Sequence, residues 1–394
     1  MKPGWQLKKL GEICDFQNGF AFKSNLFRET GLPILRISNI KNETIETCGV
    51  VYFQLEDYKE NLDKYRVENG DLLIAMSGAT TGKIGFNLTN ELFYLNQRVG
   101  KFKPKDGLLK NFLFYFLSTR VEENLLISAG AAQPNLSTEQ VKNFIIPLPP
   151  LSEQKRIVAI LDEAFAGIAT AKANTEKNLQ NARAIFESHL NDIFTKRGEG
   201  WVKKTLEEIG KTQTGSTPKT SDQTNYGDFI PFVKPADFCS DGTIIYRNDG
   251  LSESGAANAR IVPSGSVLMV CIGATIGKCG YCEQNVTTNQ QINSLTPNKG
   301  AFHRFLYYQM ITENFKRSVI HNSGQATLPI INKSKWSALS VWVPENIDTQ
   351  KEIAKKLDSL LEETQRLTSL HERKLVALGE LKKSLLHRAF SGEL

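Results

Sequence analysis

Two short runs, Asn96-Gln97-Arg98 and Asn289-Gln290-Gln291, concentrate side-chain amides whose donor and acceptor can pair with an adenine edge. Arg36 offers the forked donor that suits guanine. Two glycine-bounded turns, Gly78-Ala79-Thr80-Thr81-Gly82-Lys83 and Gly273-Ala274-Thr275-Ile276-Gly277-Lys278, carry hydroxyl and ammonium groups of the kind that hold phosphates. A third pair of runs places Arg36, Ser38, Asn39 and Lys41 against Lys234 and Asp237. The candidate nucleic-acid contacts are therefore Arg36, Ser38, Asn39, Lys41, Thr80, Thr81, Lys83, Asn96, Gln97 and Arg98 in the first half of the chain. Those of the second half are Lys234, Asp237, Thr275, Lys278, Asn289, Gln290 and Gln291. A plainer reading stays open beside this one: the amides satisfy local backbone groups and the glycine turns are structural hairpins.

Other chemistries fit less well. A P-loop needs four residues between its first glycine and Gly-Lys, then a hydroxyl residue for magnesium. Here three residues intervene, and Ile84 or Cys279 follows the lysine. Cys279-Gly280-Tyr281-Cys282, with Cys271 upstream, has the spacing of half a zinc site. The matching positions in the first half are Ile84, Asn87 and Met76, so no metal site belongs to a shared plan. No pairing of histidine with cysteine or serine recurs, and no amino-methyltransferase run such as Asn-Pro-Pro-aromatic is present. The chain is expected to be non-catalytic and to need no cofactor.

What positions these residues is a duplication. Trp5-Gln6-Leu7-Lys8-Lys9-Leu10-Gly11-Glu12-Ile13 returns 196 residues later as Trp201-Val202-Lys203-Lys204-Thr205-Leu206-Glu207-Glu208-Ile209. Strand-like runs follow in both halves, Pro33 to Ile40 and Pro231 to Phe238, and then the glycine turns, each between a buried strand and a returning strand. Helical stretches are expected near Leu108–Leu126 and Phe302–Phe315, followed by glycine-and-glutamine stretches around Gly130-Ala131-Ala132-Gln133 and Gly324-Gln325-Ala326-Thr327. A repeat this long is a duplicated domain pair and not a solenoid.

Each half ends in a long helix. Pro149 and Pro150 block helix upstream, Ser152 is placed to cap, and Ile157, Leu161, Ala164, Ile168 and Ala171 alternate four and three residues apart. After an expected polar patch at Thr175 and Asn178, the stripe resumes at Leu179, Ala182, Phe186 and Ile193. The second helix, with Asp348 as expected cap, runs through Ile353, Leu357, Leu360, Thr364, Leu367, Leu378, Leu381, Leu385 and Phe390. Gln154 and Gln350, Ile157 and Ile353, Leu161 and Leu357, and Asp162 and Asp358 hold the same register. Helices of about 43 residues, roughly 65 Å long, cannot hide a narrow stripe against a small domain, so each is expected to pair with the other.

Composition bounds the rest. The 394 residues carry a net charge of +6 at neutral pH, with the excess on the globular segments; this permits nucleic-acid binding without announcing it. No apolar run approaches the ~20 residues of a membrane span. The first residues lack the apolar stretch of a signal peptide. Six cysteines in so long a chain suit a reducing compartment, and a cytoplasmic location is expected.

The run Leu148-Pro149-Pro150-Leu151-Ser152-Glu153-Gln154-Lys155-Arg156-Ile157-Val158-Ala159-Ile160-Leu161-Asp162 resembles the specificity subunits of type I restriction-modification enzymes. So does the C-terminal Leu385-Leu386-His387-Arg388-Ala389-Phe390-Ser391-Gly392-Glu393-Leu394, and the Trp5 and Trp201 openings and Gly-Ala-Thr turns look like that family's target recognition domains. The second helix entrance, Val343-Pro344-Glu345-Asn346-Ile347-Asp348-Thr349-Gln350, departs from the pattern by losing the double proline. The resemblance implies an α/β fold with two target recognition domains separated by two long antiparallel coiled-coil helices, related by an internal pseudo-two-fold repeat. The expected segments are 1–151, the spacer helix 152–197, 198–343 and the C-terminal helix 344–394. It also implies partners: double-stranded DNA with a bipartite site, modification subunits that methylate adenine, and restriction subunits that cleave, with no membrane. Helix length would then set the distance between half-sites. A coiled-coil scaffold without sequence-specific DNA binding, or an orphan methyltransferase, are the alternatives.

Overall fold

The computed structural model describes residues 2–41, 43–121, 135–324 and 328–394. The glycine-and-glutamine stretches at 130–133 and 325–327 lie outside them. The chain divides into two compact units: Met1–Asn174 with Lys374–Leu394, and Thr175–Arg373. Each unit thus owns one globular domain and a piece of both long helices.

In unit 1 a six-stranded sheet runs in the order Cys14–Asn18, Val99–Pro104, Leu72–Ala75, Ile84–Phe86, Thr44–Ile45, Ile40–Lys41. A four-stranded sheet orders Val51–Phe53, Leu32–Leu35, Phe93–Leu95 and Arg66–Val67, with Leu32–Leu35 parallel to Phe93–Leu95. Gln6–Lys9 pairs with Ile145–Leu148, so the opening of the domain is tied to its exit. Unit 2 repeats the plan with Gly210–Thr214, Ile292–Pro297, Ser266–Val270 and Cys279–Cys282 in one sheet. Its second sheet orders Gly250–Leu251, Tyr226–Val233, Val286–Thr288 and Ile261–Val262, and Trp201–Thr205 pairs with Ser340–Pro344. The expected helices are Lys110–Thr119 and His303–Met310, the latter followed by a separate helix, Glu313–Asn322.

The sheet, the short helix and the long helices share one core in each unit. In unit 1, Leu72, Ile74 and Phe102 meet Phe112, Phe116, Ile157, Leu161, Leu386 and Ala389. In unit 2, Val267, Met269 and Leu295 meet Phe305, Tyr308, Trp336, Leu190, Phe194 and Leu357. The matched polar residues of the helices explain their register. Gln154 is fully buried; its Oε1 accepts from Leu109 N at 2.8 Å and its Nε2 donates to Gly107 O and Pro149 O at 2.8 and 2.9 Å. Gln350 does the same with Phe302 N, Gly300 O and Pro344 O at 2.9, 3.0 and 2.8 Å. Tyr115 donates to Asp162 and Tyr308 to Asp358. Each helix is thereby clamped to its own domain by one amide and one carboxylate.

The helices span Leu151–Lys196 and Ile347–Ser391, 46 and 45 residues. Within each unit their segments run antiparallel. In unit 1 Arg156 donates to the Leu394 carbonyl and Lys382 lies 5.0 Å from the Phe165 ring centre. In unit 2 Arg183 meets Glu372 at 2.9 Å, while Ser188 and His189 line a groove with Lys356 and Leu360. Four expectations need correction. Ser152 is not the cap, because the helix already begins at Leu151. Asp348 is not the cap either: Asn346 Oδ1 accepts from Asp348 N at 2.8 Å, an asparagine replacing the lost proline stop. Thr175 is no break in the stripe, being 1% exposed at the next seam position after Ala171. Leu381 lies off the seam, 47% exposed, and Leu386 and Ala389 are buried instead.

Candidate nucleic-acid interface

Three loops meet in unit 1. After Leu35 the strand Leu32–Leu35 gives way to a 3-10 turn at Ile37–Asn39. The hairpin Leu72–Ala75 to Ile84–Phe86 turns through Gly78–Thr80, beside that 3-10 turn. The Asn96-Gln97-Arg98 turn is bonded to both: Asn96 N donates to Leu35 O at 3.0 Å and Met76 N to Arg98 O at 2.8 Å. Unit 2 builds the same junction, with Asn289 N on Val233 O at 3.2 Å and Cys271 N on Gln291 O at 2.7 Å. Gly78 and Gly273 take φ of 75° and 102°, left-handed conformations that glycine adopts without a Cβ clash. Gly19 and Gly215 are required by close approach. A Cβ there would sit 1.9 Å from Asn96 O or 2.2 Å from Asn289 O.

On this scaffold Ser38, Lys41, Lys83, Gln97, Arg98, Thr275 and Gln290 are exposed. Arg36, Thr80, Asn96, Lys234, Lys278, Asn289 and Gln291 are half-buried. Lys41 pairs with Glu46 at 3.1 Å and lines a cavity with Lys83 and Glu43, while Lys234 pairs with Asp249 at 2.8 Å. Arg36 Nη2 donates to Gly49 O at 2.7 Å. Three candidates turn inward and are corrected. Asn39 is 1% exposed; its Oδ1 accepts from Arg36 N and its Nδ2 donates to Glu46 O. Asp237 is its counterpart, 3% exposed, accepting from Lys234 N and Asn248 Nδ2. Both close their 3-10 turn from inside, because a short polar side chain there replaces the missing backbone partners. Thr81 is fully buried, its hydroxyl donating to Gly78 O at 2.7 Å. Two orienting residues escaped the sequence reading. Ser77 lies 3.5 Å from Arg98 Nη1, and Thr217 donates to Gln290 Oε1; both contacts join segments far apart in the chain.

The cysteines form no ligand set. Cys279 and Cys282 sit three apart on one strand and face opposite sides of its sheet, Cys279 packing with Cys271 and Cys282 in a different cluster. Burial pushes the Cys271 thiol up to about 12 and Cys282 up to about 11, so both stay protonated as small hydrophobes.

Two like domains, each presenting amides and basic groups on a backbone-locked junction, define a duplicated recognition protein. The chain belongs to the type I restriction-modification DNA specificity family, as a specificity subunit: the family's "Type I restriction modification DNA specificity domain" model matches residues 2–181 and again 198–376. It is 24% identical to the EcoBI specificity subunit of Escherichia coli over 429 residues, covering 99% of this chain and 86% of that protein. It is 34% identical to the Escherichia coli EcoAI specificity subunit over 202 residues, half of this chain and 33% of that one. In fold it resembles a chain from a structure describing complex assembly and conformational transition of a type I system, with TM-score 0.76, 19% identity, and coverage of 100% and 99%. The HsdS subunit from Thermoanaerobacter tengcongensis is similar at TM-score 0.65 and 19% identity, over 100% and 98% of the two chains. A plain coiled-coil scaffold gives no account of a DNA specificity domain occurring twice. No helix of the described residues is long and apolar enough to cross a membrane.

Proposed function

We propose that the chain reads a bipartite site in double-stranded DNA, one half-site with each unit, and directs adenine methylation and cleavage by modification and restriction subunits. The observation that carries this reading is the repeated junction: the same glycine, the same asparagine turn and the same hairpin tip bring amide and basic side chains together in both units. Side chains on rigid turns suit base edges, and the threonine and lysine groups of the hairpin tips suit phosphates. The modest net charge of +6 is consistent with partner subunits supplying part of the nonspecific phosphate affinity. The modification subunits would take the adenine out of the helix and transfer the methyl group; this chain chooses where. The test is sequencing of methylated adenines in host DNA with and without the gene, beside a methyl-transfer assay of the purified chain. One bipartite motif should appear only with the gene, and the chain alone should transfer nothing. Methyl transfer by the chain alone, or a methylome indifferent to the gene, would overturn the proposal.

A further inference from the structure

The Asn96 and Asn289 turns are held by the same set of bonds. Beyond the bonds to Leu35 or Val233 and to Met76 or Cys271, Val99 N closes on Asn96 O at 2.9 Å and Ile292 N on Asn289 O at 3.1 Å. Gly19 N and Gly215 N reach Val99 O and Ile292 O, both at 3.0 Å. A backbone so constrained leaves little to vary except the two side chains that follow the asparagine. The first is glutamine in both units, Gln97 and Gln290. The second differs: Arg98 in unit 1, Gln291 in unit 2.

Each of these two side chains is oriented by its own unit. Ser77 Oγ stands 3.5 Å from Arg98 Nη1. The residue at the corresponding place before the second glycine turn is Ile272, which offers no acceptor. Gln291 is steadied instead by its neighbour, its Oε1 accepting from Asn289 Nδ2 at 2.9 Å while its Nε2 lies 3.8 Å from where a Cβ on Gly273 would be. The brace has therefore changed together with the side chain it supports.

We propose that this position is a specificity determinant in both units: Arg98 selects guanine in the half-site of unit 1, and Gln291 selects adenine in that of unit 2. Arginine presents two donors to the O6 and N7 acceptors of guanine, whereas a glutamine amide offers the donor and acceptor that complement N7 and N6 of adenine. The second lone pair of Gln291 Oε1 remains for the base. This assignment rests on the reading of the two units as readers of half-sites.

The experiment uses the full chain assembled with its modification subunits, acting on an oligonucleotide library randomised across both half-sites. Arg98→Gln should lower the preference for guanine at one position of one half-site by about tenfold or more and raise adenine there, leaving the other half-site unchanged. Gln291→Arg should do the reverse in the other half-site. Arg98→Lys, which keeps a donor for guanine, should retain guanine first with a narrower margin. Co-elution with the modification subunits reports assembly separately. An unchanged motif in the variants would overturn the assignment. A uniform loss for all four bases in an intact complex would too, since it would place these side chains on phosphates. If the wild-type complex methylates no bipartite site, the underlying reading fails and this one with it; if it does, a failure of the variants to shift the motif counts against this position alone.

Discussion

Glu153 shows how one half-buried carboxylate can tie the start of the chain to the central helix. Hydrogen bonds from Arg156 and from Lys2, at 2.7 and 2.9 Å, lower its pKa from 4.5 to about 2. A depressed folded-state value stabilises the fold above the unfolded pKa and is lost as the pH falls through the folded one. The melting temperature of wild type should therefore exceed that of Glu153→Gln at pH 7, with the difference shrinking between about 4.5 and about 2. A difference that grows on acidification would mean the carboxylate is not held in this way. Gln350 is a more costly residue to lose. Gln350→Leu leaves Pro344 O unpaired in the interior and takes from Phe302 N and Gly300 O, which lie nearer the surface, the amide that holds them. At about 1–3 kcal/mol for a buried unpaired group, partly offset by the added apolar volume, unfolding should come several degrees earlier. The exposed neighbour change Lys351→Gln should move the melting curve by less than a degree or so, since its pair with Asp348 lies in water.

Among the elements, the C-terminal helix separates periodicity from burial. A heptad reading puts Leu381 in the seam, yet the last turns face the sheet and short helix of unit 1, where Leu386 and Ala389 are buried and Phe390 packs at a tilt on Phe112 and edge-on to Phe116. Leu386→Ala should cost about 2–5 kcal/mol in chemical denaturation. Leu381→Ala, half-exposed, should stay within about 0.5 kcal/mol. Equal losses would restore the simple heptad.

For the whole molecule, the separate cores of the two units argue that each can be exchanged without rebuilding the other. Replacing residues 1–151 by the corresponding segment of a relative should change one half of the methylated motif and preserve the other half. Methylome sequencing reads this directly. A change in both halves would show that the units do not read independently.

The duplication, the two long helices and the identity of each helix's partner were legible in the chain itself, because repeats and apolar periodicity are one-dimensional. Gln154 with Gln350 and Asp162 with Asp358 could be matched by register, but their roles as buried clamps depend on Gly107, Gly300, Tyr115 and Tyr308, which only folding brings to them. The same holds at the candidate interface. Sequence spacing put Asn39, Asp237 and Thr81 beside Arg36, Lys234 and Thr80 with no sign of which would face outward. That was decided by the 3-10 turns and the hairpin tip, where the backbone of each turn takes up the polar side chain that folds back on it. The cysteine pair resolved in the same manner, since three residues along a strand reverse the face. Local pattern determined which segments become helices, strands and turns; the pairing of distant strands decided which polar groups are consumed by the fold and which remain to meet a ligand.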